Sequence, residues 1–385
     1  MNEMTARERV SAAITHQEPD RVPFDCHFGF EAYQNLLDYL GLPGSEALRP
    51  TGPGLTVKPS VEFMKQFGID LCFIGLSGIS DAPEFEYGMD SYTDEWGITH
   101  SKIEDGFSIT YQPLSHPLEN ADLDDLDAYP WPDPYHPERV KGLAGKCEYL
   151  FSETDLALVG RFNSAIFEQA FMLRGFEKFL LDLAVNPEFA CKLMDRLTDI
   201  AVGLIDAGLE ACGPHLQILR LAGDDMGHQQ GTLLSPNMFR ELIKPRFSRL
   251  YQSAKELFLQ YNPDGKLMAH TDGDVYQFIP DYLEMGLDIL NPIQPHVTNM
   301  EHDRLKAEFG ERLAFHGAID IQQLMPFGTV EEVKDQARET IQTLGPSGGF
   351  ILAPTHYLQA DVPPENIVAL RDAVLEYGRY PLPES

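Results

Sequence analysis

Basic residues are scarce in this chain of 385 residues. Only 29 Lys and Arg oppose 60 Asp and Glu, which gives a formal net charge of −31 at pH 7. Such a chain repels phosphate backbones and anionic lipid surfaces, so we expect neither nucleic acid nor a membrane as a partner. No apolar run approaches the roughly 20 residues of a membrane span. The N-terminus carries Glu3, Arg7 and Glu8 where a signal peptide has an apolar core, which predicts a cytoplasmic protein.

Cysteine is also rare. The five cysteines are odd in number and include no Cys-x-x-Cys pair, which argues against a disulfide framework and against a four-cysteine zinc site. We therefore expect buried free thiols at Cys26, Cys72, Cys147, Cys191 and Cys212.

Short β-rich apolar runs alternate with longer segments of helical periodicity along the chain. This alternation is typical of repeated βα units around a parallel sheet. Eight runs predict an α/β fold of the (β/α)8 TIM-barrel type, in a single domain that spans residues 1–385. The runs cover residues 22–28, 69–76, 156–161, 216–222, 267–270, 287–292, 313–317 and 349–353.

Residues 83–148 interrupt the alternation after the second run. They contain a predicted hairpin near residues 98–111 and an acidic, proline-rich stretch from 120 to 137. The segment is too aromatic for a disordered linker, so we predict an insertion that packs over the top of the barrel. Its aromatic residues include Trp96, Phe107, Tyr111, Tyr129, Trp131 and Tyr135.

The chemistry of a parallel barrel lies on the loops that follow the strands. One candidate loop, His270 to Asp274, follows the fifth run, and another, Pro354 to Tyr357, follows the eighth. His270, Asp272 and His356 together are the ligand set of many catalytic zinc sites, which leave one coordination position open. An alternative stays open, in which the aspartates of the first loop cap the next helix and His270 is a hydrogen-bonded core residue.

Further polar residues follow the other runs. Asp224 and Asp225, after the fourth run, either take part in catalysis or form an ordinary acidic turn. His316, after the seventh run, is a third catalytic candidate. The candidate substrate contacts are His27, Gln294 and Tyr357.

Several short motifs are shared with one known superfamily. They are Thr5 to Val10, His16 to Pro23, Asp94 to Gly97, Tyr129 to Pro132, Gly223 to Asp225, Leu290 to Gln294 and Gln359 to Asn366. On these motifs the chain resembles the uroporphyrinogen decarboxylase superfamily over nearly its whole length. The resemblance implies the barrel fold, but the motifs are not specific for a reaction.

The resemblance favours the corrinoid-dependent methyltransferase branch of that superfamily. The decarboxylases carry an arginine-rich segment after the first strand for their polycarboxylate substrate, whereas residues 24–33 contain no arginine here. The methyltransferases take zinc ligands from a His-x-Cys at the fifth strand end and from the eighth strand end, which His270 and His356 match. Asp272 replaces the cysteine. A harder ligand set of this kind suits an oxygen ligand better than a thiol.

The resemblance therefore implies a zinc-dependent methyltransferase of the O-demethylase kind. It would move a methyl group from a small methoxylated or methylated compound to the Co(I) of cobalamin, which a partner corrinoid protein carries. Two alternatives stay open. One is a metal-free tetrapyrrole decarboxylase in which His356 and an aspartate handle protons. The other is a barrel that binds a ligand without chemistry.

Overall fold

The computed structural model describes residues 3–43, 56–79, 85–104, 109–221 and 223–382. The strands are β1 (Leu71–Gly75), β2 (Ser91–Thr93), β3 (Thr99–Glu104), β4 (Ile109–Pro113), β5 (Ala157–Arg161), β6 (Ile218–Arg220), β7 (Gly227–His228), β8 (Gly231–Thr232), β9 (Lys266–His270), β10 (Ile289–Asn291), β11 (Ala314–Ile319) and β12 (Phe350–Pro354). The α-helices are α1 (Ala6–Ile14), α2 (Phe30–Leu40), α3 (Val61–Phe67), α4 (Asp125–Ala128), α5 (Leu143–Glu153), α6 (Phe167–Arg174), α7 (Phe176–Val185), α8 (Pro187–Cys212), α9 (Pro236–Met238), α10 (Lys244–Tyr261), α11 (Ile279–Met285), α12 (His302–Phe309), α13 (Leu324–Phe327), α14 (Val330–Leu344) and α15 (Pro364–Tyr377).

A curled parallel sheet of seven strands forms the centre of the fold, in the order β1-β5-β6-β9-β10-β11-β12. These strands are the second to eighth apolar runs of the sequence, so the predicted α/β class is confirmed. The order follows the chain, as expected when each strand is joined to the next by a helical crossover.

The first apolar run forms an extended segment beside this sheet instead of a regular strand. The backbone N–H of Asp25 donates to the carbonyl of Leu352 at 2.9 Å, and the N–H of Asp70 donates to the carbonyl of Phe24 at 2.8 Å. The segment is thus bonded both to β12 and to the residue before β1. It is irregular because Pro23 has no N–H and because the Asp70 carboxylate accepts the N–H of Phe24.

A π-helical segment interrupts the helix that leads into α10. Ser235 caps α9 by accepting the N–H of Met238 at 3.2 Å. Pro245 cannot donate to the preceding turn, and a π-helical segment, Phe239–Ile243, separates α9 from α10. The interruption is thus a π-bulge just before Pro245.

The segment after β1 forms a three-stranded antiparallel sheet, β2-β3-β4, which includes the predicted hairpin; Phe107 lies outside the described residues. Two of the aromatic residues of this segment, Trp131 and Tyr135, contact α8. Trp131 is 5.9 Å from the Arg196 guanidinium, and the Tyr135 hydroxyl lies 3.1 Å from Asp206 Oδ2. Gly203 permits this approach, because a Cβ there would lie 2.8 Å from the Pro134 ring.

A small apolar core fills one end of the sheet interior. Leu71, Val159, Ile218 and Met268 belong to it, together with Val10 of α1. Since side chains alternate along a strand, the residues two positions further along point into the same interior. The sheet interior is therefore apolar toward the amino ends of the strands and polar at their carboxyl ends. We call this polar end of the interior the mouth.

The cysteines are free. Cys26, Cys147 and Cys212 are buried as predicted, whereas Cys72 and Cys191 are partly exposed. Over the described part of the chain, none of the helices has both the length and the apolar character of a membrane span.

Candidate active site

The polar mouth is formed by the residues that follow the inner core on successive strands. Arg161 ends β5, Arg220 ends β6, His270 ends β9 and Asn291 ends β10. His316, the third residue of β11, is the equivalent residue on the next strand. Neighbouring strands place them side by side: Arg161 pairs with Arg220 in register, and His270 pairs with Asn291.

A chain of hydrogen bonds crosses this mouth from His270 to the extended N-terminal segment. His270 Nδ1 lies 2.7 Å from Asn291 Oδ1, and Asn291 Nδ2 lies 2.7 Å from His316 Nδ1. His316 Nε2 lies 2.9 Å from Asp25 Oδ2, which is also 3.1 Å from His27 Nε2. We call these five residues the relay.

The relay fixes the proton positions of its imidazoles. Asp25 is buried, and its His27 and His316 partners hold the pKa of its carboxyl well below the usual value against the effect of burial. An ionised carboxylate can only accept, so His316 donates from Nε2 and accepts from Asn291 at Nδ1. The Asn291 oxygen then faces His270, which donates from Nδ1. The lone pair of neutral His270 is left on Nε2, where a metal can bind.

An acidic cluster lies beside His270. One ligand atom from each of Asp225, His270 and Asp272 falls within 4.8 Å of the other two. His270 Nε2 is 3.8 Å from Asp272 Oδ2, and the Asp272 N–H donates to Asp225 Oδ1 at 2.8 Å. Asp272 Oδ1 is buried and has no hydrogen-bond partner among the residues that the structure describes. A buried carboxylate oxygen without a donor needs an explanation, and coordination of a cation would be one.

The electrostatics of the cluster also fit a cation. Burial and the neighbouring Asp225 charge raise the pKa of Asp272 to about 7. Glu168 is exposed, but its neighbours in the mouth still remove part of its hydration. This loss of hydration, followed by the Asp225 charge, raises the pKa of Glu168 to about 7. Burial and then Arg220 lower the pKa of His270 well below its usual value, so the ring is neutral. Three carboxylates and a neutral imidazole match the ligands of a hard or borderline divalent metal.

Gly223 lets His270 and Glu168 approach each other. A Cβ at this position would lie 2.8 Å from His270 Cδ2 and 3.6 Å from Glu168 Oε2. The glycine before the Asp224-Asp225 pair is therefore needed for space.

His356 lies on the same rim, near the cluster but outside it. Its ring centroid is 6.1 Å from that of His270 and 4.4 Å from that of Tyr357. Two imidazoles on one tetrahedral zinc have centroids about 5 Å apart. His356 is exposed, so a side-chain rotation can supply the difference. Asp225, expected from the sequence to be catalytic, takes the third place in the cluster.

Asp224 and Asp225, the two neighbouring catalytic candidates, have different environments. Asp224 is buried and accepts the backbone N–H groups of Ile166 and Glu168 at 3.0 and 2.8 Å. Its carboxylate therefore holds the start of α6 and, through it, Glu168. Asp225 faces Asp272.

The helical turn that follows the loop after β9, Tyr276–Phe278, has Val275 as its N-cap residue and no side-chain cap. Asp274 forms a local turn beside it: it accepts the N–H of Tyr276 at 3.2 Å and the Asn299 amide at 2.8 Å. Asp272 lies earlier in the loop, and its Oδ1 has no hydrogen-bond partner among the described residues.

The remaining candidates have structural contacts of their own. Gln294 Oε1 accepts the N–H of Gly273 at 2.7 Å and so supports the loop that carries Asp272. His316 is buried and reaches the cluster only through Asn291. His27 is half-buried against Phe73, with ring centroids 4.5 Å apart.

Sequence reasoning missed Glu168, Arg161 and Arg220. Glu168 lies in the first turn of a helix, where acidic residues are ordinary. The arginines carried a usable signal, because each is a charged residue in the last part of a mainly apolar run: Arg161 ends its run and Arg220 is followed by two further residues. In a barrel this position faces the mouth.

The sequence profile of the family described as "Uroporphyrinogen decarboxylase (URO-D)" matches residues 86–377. The chain belongs to the uroporphyrinogen decarboxylase family. The match includes the acidic cluster and three relay residues, His270, Asn291 and His316. The other two relay residues, Asp25 and His27, precede the matched region.

Individual relatives of this family member have different activities. A methylated-thiol–coenzyme M methyltransferase of Methanosarcina mazei is 28% identical over 180 residues, 46% of this chain and 43% of that protein. A uroporphyrinogen decarboxylase of Psychromonas ingrahamii is 22% identical over 193 residues, 50% of this chain and 49% of that protein. The chain thus matches these relatives over about half of their length.

One solved structure is similar over almost the whole fold. A methyltransferase from Methanosarcina mazei superposes with a TM-score of 0.65 and 21% identity, and the match covers 97% of this chain and 99% of that one. At this identity the similarity concerns the fold.

Proposed function

We propose that this family member is a zinc-dependent methyltransferase that moves a methyl group from a small methoxylated or methylated compound to the Co(I) of a partner corrinoid protein. The acidic cluster is the observation that carries the proposal. It combines a neutral imidazole with its lone pair on Nε2, crowded carboxylates and a buried oxygen without a donor.

His270, Asp272 and Asp225 would hold the zinc, with His356 in reach as a further ligand. Zinc bound there would act as a Lewis acid on the ether oxygen of the methyl donor. The C–O bond would break with its electron pair left on oxygen, and the methyl group would pass to the Co(I) of the partner protein, which would supply the electron pair of the new bond.

The other residues of the mouth orient and support. The relay keeps the His270 ring in one tautomer, Asp224 and Gln294 hold the loops that present Glu168 and Asp272, and His27 and Tyr357 are placed to contact the donor. A displacement at carbon needs donor and acceptor in line, so these contacts must hold the methyl group toward the opening of the mouth. The cobalamin of the partner would approach there.

Three finer features belong to the same proposal. The extended segment 22–28 completes an eight-stranded barrel within a single domain, residues 83–148 form an insertion after the second strand of that barrel, and the protein works in the cytoplasm. The hydrogen bonds of Asp25 and Asp70 to either side of the segment support the first of these.

A second candidate, uroporphyrinogen decarboxylase, has one observation in its favour. Arg161 and Arg220 place two guanidinium groups in the mouth, and such groups bind carboxylates. The absence of arginine from residues 24–33 weighs against a substrate with many carboxylates.

The proposal predicts stoichiometric zinc and demethylase activity. Purified protein should contain about one zinc per chain and methylate free Co(I)-cobalamin from at least one member of a panel of methoxylated compounds, with no coproporphyrinogen formed from uroporphyrinogen. Metal analysis and the visible spectrum of methylcobalamin give the readouts. Decarboxylation at about 1 per second or faster, in protein without zinc, would replace this proposal by the second candidate.

Zinc affinity should rise by about tenfold between pH 6 and pH 8. Burial and the Asp225 charge raise the pKa of Asp272 to about 7 from the ordinary 3.8, so the metal-free fold loses stability as pH rises from about 4 to about 7. Zinc binds the ionised carboxylate, so its affinity rises until that group is fully ionised. A carboxyl group of pKa about 7 becomes about tenfold more ionised over this interval. A chelator competition at several pH values measures the effect. Glu168→Gln removes a charge that raises this pKa, so it should move the dependence to lower pH; an unchanged profile in this variant contradicts the assignment.

A further inference from the structure

We propose that the methyl donor carries an anionic group, a carboxylate or a group of similar shape, and that Arg161 and Arg220 bind it beside the acidic cluster. This inference rests on the proposed function, because it specifies the chemical class of the methyl donor. The arginine pair, as we call these two residues, is not among the proposed metal ligands.

The arginine pair is built into the sheet. The two residues end adjacent parallel strands and are Cα partners in the register of β5 and β6. Each follows an inner-core residue by two positions, Val159 and Ile218 respectively, so both side chains enter the same mouth. Two guanidinium groups on neighbouring strands can hold the two oxygens of one carboxylate with the planar geometry that arginine favours.

Arg220 lacks a partner for part of its guanidinium. Its exposed fraction is 9%, and its Nη1 is buried without a hydrogen-bond acceptor in the described part of the chain. A buried charged donor without an acceptor is costly, so native structures satisfy such groups. Since Arg161 adds a second positive charge beside it, the group that fits is an anion with acceptor oxygens.

The field in the mouth supports this assignment. Burial, followed by the charge of Arg161, lowers the pKa of Arg220 to about 9. Arg161 and Arg220 therefore repel each other at neighbouring strand ends, in a chain whose net charge is −31. An anion placed there would relieve their mutual repulsion.

The acidic cluster limits the size of the donor. Asp225 and Asp272 both act electrostatically on Arg220, so the arginine pair and the metal ligands are close neighbours. A donor that spans both has its methoxyl or methyl group and its anionic group within one small molecule. Two arginines also suit one carboxylate better than the many carboxylates of a tetrapyrrole.

Equilibrium binding tests the inference without any methyl transfer. Acetate, benzoate and 4-methoxybenzoate would be titrated into zinc-containing protein by calorimetry, each beside its neutral amide. We expect at least one carboxylate to bind roughly tenfold or more tightly than its amide. Arg161→Gln and Arg220→Gln should each remove most of this preference, whereas Arg249→Gln, at an exposed surface ion pair, should retain it.

Three outcomes of this titration would contradict or separate the two proposals. Equal binding of carboxylates and amides, or no binding of any carboxylate at about 10 mM, overturns the inference. Zinc loss in Arg220→Gln with intact carboxylate preference also overturns it, because Arg220 is then a counter-charge of the acidic cluster only. If the carboxylate preference depends on both arginines but Co(I) is never methylated, the inference stands and the proposed function fails.

Discussion

Replacement of Asp272 by alanine is expected to remove bound zinc and methyl transfer together, while Asp272→Cys keeps the metal. Loss of a group that only supports a ligand typically costs 10- to 100-fold in metal affinity, and Asp272 is proposed as a ligand itself. We therefore expect zinc affinity to fall by at least about 100-fold in Asp272→Ala. Zinc content after dialysis against a chelator and the rate of methylcobalamin formation measure the two effects.

The cysteine variant separates binding from catalysis. Thiolate is a good zinc ligand, but it donates more electron density and leaves less Lewis acidity for a departing oxygen. Asp272→Cys should thus retain zinc and lose much of the activity toward methoxylated donors.

Asp274→Asn is the matched control for both variants. Asp274 lies in the same loop, but its carboxylate accepts from Tyr276 and Asn299, and it should leave zinc content unchanged. If Asp272→Ala keeps full zinc and full activity, Asp272 is a turn residue and the ligand assignment is wrong.

The strand ends of the parallel sheet could be predicted from the sequence because the apolar runs are short and well separated. His270 and Asp272 follow such a run directly, and the structure brings them together with an interatomic distance of 3.8 Å. The position of Asp225 beside them depends on the loop after β6, whose backbone is held by contacts with residues far along the chain, such as the bond from Met226 N–H to Thr271 Oγ1. Single-sequence patterns carry no information on such contacts.

The relay could not be predicted for a related reason. Asp25 and His316 are 291 positions apart, and nothing local marks Asn291 as the bridge between two imidazoles. The sequence showed each as a polar residue near a strand end. Their connection arises because parallel strands place equivalent positions side by side.

Residues 83–148 illustrate the limit of composition. Their aromatic content predicts packing, but it does not identify the surface that each side chain contacts. Trp131 and Tyr135 contact α8 because that helix offers Arg196, Asp206 and a glycine at the close approach.

Asp25→Asn is expected to weaken zinc binding although Asp25 is separated from the cluster by three hydrogen bonds. An amide can donate to His316 Nε2, which a carboxylate cannot. His316 can then donate from Nδ1, Asn291 presents its NH₂ group to His270, and the His270 proton moves to Nε2. This is the atom that the metal needs, so we expect a loss of roughly 10- to 100-fold in zinc affinity, the usual range for groups that orient a ligand.

The measurement must distinguish the tautomer from general damage to the fold. Nitrogen-15 NMR of labelled histidines in the metal-free protein reports which ring nitrogen carries the proton, and we expect the His270 signal to change from the Nδ1–H to the Nε2–H pattern in Asp25→Asn. Asp94→Asn is the matched control, since Asp94 forms a similar 2.9 Å contact with His100 in the antiparallel sheet and should leave zinc affinity unchanged. If Asp25→Asn keeps the Nδ1–H tautomer of His270 and still loses zinc, Asp25 acts through folding stability. If Asp25→Asn binds zinc with normal affinity, the relay does not control the metal site.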